Sequence, residues 1–169
     1  STDSRLQGLS GVSVDAVSVS ALPQSSVQQG PILITHRGLS GPAILRLSAW
    51  EARRFQKESY QFTISINWLG DISASQVSDI VAEYRRSYGK SLIRNRTIGG
   101  ISRRLWERLI EAVAIDPDTR WTQLTKNCED ALVSELTDSR FQIQGKTTNK
   151  EEFVTCGGIR LKEVDFRRM

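Results

Sequence analysis

Residues 60–89, YQFTISINWLGDISASQVSDIVAEYRRSYG, change hydrophobic period part-way along, and that change decides the fold class. Tyr60, Phe62, Ile64, Ile66 and Trp68 fall on one parity, and Gln61, Thr63, Ser65 and Asn67 on the other. Strict alternation of this kind predicts a strand with one buried face in an antiparallel sheet. A few residues later, Ser73 followed by Gln76 has the spacing of a capping box. Val77, Ile80, Val81, Tyr84 and Tyr88 then recur at helical spacing until Gly89, a stop signal.

Toward the N-terminus, residues 9–22 (LSGVSVDAVSVSAL) alternate with a phase slip at Asp15-Ala16. Val12 and Val14 lie on one parity and Val17, Val19 and Ala21 on the other, so a half-buried strand with a bulge is expected. Residues 30–55, GPILITHRGLSGPAILRLSAWEARRF, read as a strand (Ile32 to Thr35), a glycine-containing turn, and a helix entered at Ser40-Gly41-Pro42 and ending near Lys57. Beyond residue 89, Ile101, Leu105, Leu109 and Val113 predict a helix stopped by Asp116-Pro117. A third helix is expected to carry Trp121, Leu124, Cys128, Leu132 and Leu136. Strand signals return at Phe141 and Ile143, and again at Phe153 to Thr155 before Gly157-Gly158. The expected architecture is α+β. A barrel- or sandwich-like, mostly antiparallel β subdomain comes from both ends of the chain (residues 1–71 and 138–169, including a helix over 41–57). A small helical bundle, residues 72–137, is inserted in it.

The chain has 169 residues, 38% hydrophobic and 25% charged, a globular composition. No run approaches the roughly 18 apolar residues of a spanning helix, and the N-terminus lacks a secretory pattern, so a cytoplasmic protein away from membranes is expected. The closing segment GGIRLKEVDFRRM carries no stop signal of its own, and a cut chain is expected there. Cys128 and Cys156 lie far apart with no CxxC and a single histidine, which excludes a zinc site; reduced thiols are favoured over a disulfide. Charge is uneven. Residues 85–108 hold eight basic side chains against Glu107, +7, leaving −3 for the rest of a chain whose net charge is +4.

Three features compete as sites. His36 could act as a general base or as a ligand to an anionic cofactor, imidazole being the side chain suited to proton transfer near neutral pH, or it could be structural, with no triad partner nearby. The Ser40-Gly41-Pro42 entry could cradle an anion with Thr35 and Ser40 hydroxyls, or be an ordinary cap with proline in the first helical turn, the favoured view. The 85–108 region could bind nucleic acid or a protein partner; a solvated basic face is preferred, because only Tyr88 and Trp106 interleave it.

Three ordered segments carry a family resemblance. ITHRGLSGPAILRLS (34–48) resembles the THxGLSGPxxLxLS signature of the bacterial aminoacetone-oxidase-like, NAD(P)/FAD-dependent flavoprotein oxidoreductases. LSGVSVDAVSVS (9–20) resembles the segment preceding that signature, and EEFVTCGGIRLKEVDFRRM (151–169) the place where the chain re-enters the flavin domain. The resemblance implies an insert domain on the substrate side of an FAD enzyme. It implies a small-molecule substrate, NAD(P)H as a further cofactor, and a flavin-binding domain of the same polypeptide as partner. Neither the FAD glycine fingerprint nor the later glycine-rich segment is in this chain, so FAD binding and turnover are not expected of it alone. By position, Thr35, His36, Gly38, Ser40, Gly41 and Pro42 are implied nearest the flavin, with Thr155, Gly157 and Gly158 at the return to the flavin domain. His36 is the catalytic candidate, and no metal is implied.

Overall fold

The computed structural model describes residues 3–145; the expected strand at 153–155, Cys156 and the Gly157-Gly158 turn lie outside them. The 60–69 alternation is β4 (Gln61–Asn67), the second-last strand of a five-stranded antiparallel sheet. The others are β1 (Ser13–Ala21), β2 (Gln28–Thr35), β3 (Gly38–Ser40) and β5 (Ser139–Gln144), in the order β3-β2-β1-β4-β5. The class is therefore α+β. Among the described residues the sheet is not closed, and β3 and β5 are its edges. The phase slip in the sequence is a real bulge: the β1–β2 register shifts between Val14 and Val17, which lets Val12, Val14, Val17, Val19 and Ala21 all reach the core.

Among the described residues, five α-helices accompany the sheet. α1 (Pro42–Trp50) and α2 (Ala52–Lys57) replace the single helix expected over 41–57. They meet at Glu51, where the backbone turns (φ −96°, ψ 10°) with no glycine or proline to announce it. α3 (Ala74–Tyr88), α4 (Arg103–Ala112) and α5 (Lys126–Thr137) lie between β4 and β5. The Ser73–Gln76 capping box is formed in both directions, closing two orphan amides at the start of α3. Gly89 ends α3, though not by a left-handed turn: its φ is −52°. Its role is close approach, since a Cβ there would lie 2.5 Å from Thr122 Cγ2 and 2.6 Å from the Arg85 carbonyl oxygen. Trp121 belongs to a 3₁₀ turn (Trp121–Gln123), not to the third helix, which starts after the Thr125 cap. Buried side chains from sheet and helices form one continuous core, with Trp68, Trp106 and Trp121 fully enclosed.

One ion pair ties the helices together from inside. Glu129 on α5 is 6% exposed and accepts from Arg85 Nη1 at 2.9 Å and Lys126 Nζ at 3.0 Å. Arg85 also donates to the carbonyls of Trp121 and Leu124, so one guanidinium on α3 holds the 3₁₀ turn and α5. Arg85 is a third exposed and Lys126 would still meet Glu129, so the loss is smaller than for a fully buried pair. Arg85→Ala is expected to cost about 2 kcal/mol, read as a fall of roughly 4–8 °C in the thermal midpoint. A shift under ~2 °C would mean the pair is not a structural tie.

Candidate functional site

The 34–48 motif folds as a hairpin followed by a helix. Thr35 pairs with Gly38 across a two-residue tip, His36-Arg37. The Thr35 hydroxyl accepts from the amides of Arg37 (3.3 Å) and Gly38 (3.2 Å) and donates to the Gly38 carbonyl (3.1 Å). Its single proton is thus committed to the turn. The segment Gly38–Ser40, expected as turn and cap, is instead strand β3, with Ser40 opposite Leu33. The cap residue of α1 is Gly41 (φ 101°, ψ 167°), without a side-chain hydrogen bond, and Pro42 occupies the first helical turn. A Cβ on Gly41 would lie 2.8 Å from the Pro31 carbonyl oxygen, 3.0 Å from Leu33 N and 3.1 Å from Ile32 Cα. The glycine lets the start of α1 lie directly against the β2 backbone.

The sheet curls far enough for its two edges to wall one cavity of about 590 Å³. Gly38, Leu39 and Ser40 of β3 and Phe141, Gln142, Ile143 and Gln144 of β5 line it, and Thr35, His36 and Arg37 stand at its rim. Ile44, Leu45, Leu47 and Ser48 of α1 form one wall, with Phe55, Tyr60, Phe62 and Ile64 behind. Phe55 and Phe62 stack face to face, ring centroids 3.7 Å apart at 7°. Asp3 also borders the cavity, and hydrogen bonding from Arg5 holds its carboxyl below the ordinary carboxylate range. The volume is within the ~300–1,000 Å³ of small-molecule sites, which are mostly apolar with a few polar groups.

Of the motif residues, Thr35, His36, Gly38 and Ser40 border this cavity; Gly41 and Pro42 do not, Gly41 lying against β2 and Pro42 being exposed. Thr155, Gly157 and Gly158 lie outside the described residues. Phe55, Tyr60, Phe62 and Ile143 are walls that the sequence marks only as apolar strand and helix positions. The start of α1 beside it is packed on strand backbone, and no glycine-rich phosphate loop follows any described strand, so no dinucleotide-holding motif borders it among the described residues.

Most of the cations of the 85–108 region are paired, chiefly with carboxylates from outside it. Arg85 pairs with Glu129, Arg86 with Glu83, Arg94 with Asp118, Arg103 with Glu107 and Arg108 with Glu111. Arg96 lies over the Tyr88 ring, 4.2 Å from its centroid, and Arg104 donates to the Gly8 carbonyl. Among the described residues no group of three or more His, Cys, Asp or Glu side chains is placed to hold a metal. No helix among them is long and apolar enough to cross a membrane.

Comparison with known proteins bears on this arrangement. A ribosomal RNA dihydrouridine synthase of Escherichia coli (strain K12) is 34% identical over 165 residues, 97% of this chain and 38% of that protein. A ribosomal RNA dihydrouridine synthase of Haemophilus influenzae (strain ATCC 51907 / DSM 11121 / KW20 / Rd) is 26% identical over 169 residues, 99% of this chain and 39% of that protein. The chain thus spans under two-fifths of the length of these curated relatives, and they carry that name, not aminoacetone oxidase. The family model for the HI0933-like protein barrel and H2TH domain matches residues 1–154, which take in the whole sheet, the inserted helices and the cavity between the sheet edges. On that match, the chain belongs to the HI0933-like barrel and H2TH domain family.

Proposed function

We propose that this chain is the substrate-side domain of an FAD-dependent oxidoreductase that reduces a uridine in ribosomal RNA. The observation that carries it is the 590 Å³ cavity bordered by the 34–48 motif, walled by the two sheet edges and roomy enough for a nucleobase beside a second ring system. The relatives' printed name supports the substrate. Dihydrouridine is uridine with the C5–C6 double bond saturated. C6 is the electrophilic end of a carbonyl-conjugated alkene, so reduction delivers a hydride to C6 and a proton to C5. FAD, held by the rest of the polypeptide, would supply the two electrons as hydride, with NAD(P)H restoring the reduced flavin. The apolar walls exclude water and flank a flat base, while His36 at the rim is the proton-carrying side chain within the motif.

The test is purification of the full-length protein that contains this chain. It is expected to be yellow with a flavin spectrum, to convert uridine to dihydrouridine in ribosomal RNA from cells lacking the gene, and to leave the separate 169-residue chain colourless. A colourless full-length protein, or flavin with no change in the RNA, overturns this assignment.

A further inference from the structure

Four tryptophans are present, and three of them, Trp68, Trp106 and Trp121, are fully enclosed. Trp50, the last residue of α1, is 75% exposed. Helical phase groups it with Ala43 and Leu47, both buried, yet it stands outside the core at the end of the helix. A single exposed apolar side chain is ordinary on a protein surface, so Trp50 is informative through what surrounds it.

The charges around it are of one sign. Helical hydrogen bonding runs across the junction, from Glu51 N to the Leu47 carbonyl and Phe55 N to the Glu51 carbonyl, so Arg46, Arg53 and Lys57 lie at i−4, i+3 and i+7 from Trp50. All three are exposed. The two nearby acids are engaged elsewhere, since Glu51 and Glu58 both pair with Arg54. Arg46 donates to the Gln29 carbonyl, whereas Arg53 and Lys57 have no partner among the described residues. The opposite side of α1 walls the cavity through Ile44, Leu45 and Ser48. An exposed ring amid unpaired cations is the composition of a single-stranded nucleic-acid platform, in which bases stack and phosphates are met by Lys and Arg.

We propose that the outer face of α1 and α2 is a single-stranded RNA platform: Trp50 stacks a base flanking the one in the cavity, while Arg53 and Lys57 meet backbone phosphates. This rests on ribosomal RNA being the substrate. The probe is a labelled twelve-nucleotide oligouridylate, titrated into the 169-residue chain at low salt and read by anisotropy and tryptophan emission. Binding should quench emission, because the three enclosed indoles are shielded from the RNA. Trp50→Ala is expected to weaken binding about ten-fold or more, whereas Trp50→Phe keeps most of the affinity and loses the quench. Arg53→Gln with Lys57→Gln should lower the salt slope by roughly 1.4, two phosphates at ~0.7 each on a single strand.

Unchanged affinity in Trp50→Ala, or no binding by the unaltered chain at low salt, overturns the platform. So does a Trp50 in the RNA-free full-length protein that is already shielded from iodide, since this face would then meet another domain. The flavin spectrum of the full-length protein is independent of these outcomes. Flavin present with no role for Trp50 removes the platform alone, and flavin absent removes the functional assignment.

Discussion

Gly41→Ala is expected to destabilise the chain by about 4 kcal/mol, enough to lower the thermal midpoint by roughly 10 °C. Two costs add. At φ 101° and ψ 167° the backbone is in a region that L side chains scarcely visit, about 2 kcal/mol of strain. The new methyl would also press on three β2 backbone atoms 2.8–3.1 Å away, and strand backbone cannot yield as a flexible side-chain tip does, about 2 kcal/mol more. Gly100→Ala carries conformational strain without close contact: its φ is 75°, with nothing within 4 Å of the added carbon. It should cost about 1 kcal/mol. Thermal unfolding of both variants checks the comparison. Equal losses would refute close approach as the reason for glycine in the motif and leave only its conformation.

His36→Ala in the full-length protein is expected to lower kcat about 100-fold while leaving flavin content and thermal midpoint unchanged. Stability should not move because His36 is exposed at the tip of the β2–β3 hairpin, whose turn is held by the Thr35 hydroxyl. Turnover should move because the proposed reduction needs a proton donor for C5, and the His36 imidazole at the cavity rim can supply one. The pH profile separates roles: loss of the basic limb in the variant marks His36 as the acid. Full turnover in the variant would reduce it to an exposed turn residue.

Much of the sheet could be read from periodicity because one face of each long strand is buried and the other wet. The β1 bulge is the clearest case: a slip at Asp15-Ala16 cannot keep both groups of valines inside unless the strand gains a residue there. The α3 capping box was equally plain, because both partners are local. Features set by tertiary contact were hidden. β3 is three residues long, too short for any period, and its Gly-Leu-Ser composition resembles a turn. Gly89 was recognised as a stop but for a local reason, while its neighbour Thr122 arrives from 33 residues away. The charge excess at 85–108 looked like a surface signature because four of its five carboxylate partners, Glu83, Glu111, Asp118 and Glu129, lie outside the window. In the candidate site, the motif was visible as a run of special residues, and half the cavity was not. The β5 wall is brought beside β3 only by the curl of the whole sheet, and no short-range pattern encodes that.

β4 and β5 are neighbours in the sheet, with Gln61 opposite Gln144 and Ile66 opposite Ser139, yet residues 68–138 separate them. Topologically this is a hairpin whose turn is a folded body. Closing so long a loop by chance would cost about 3 kcal/mol more than closing a two-residue turn. Once the helical block has formed, however, its own ends are held together: the Trp68 amide donates to the Leu136 carbonyl at 2.9 Å. Pairing of β5 with β4 is then nearly local, so a substitution that unfolds the helical block is expected to release β5 as well, and with it one wall of the cavity.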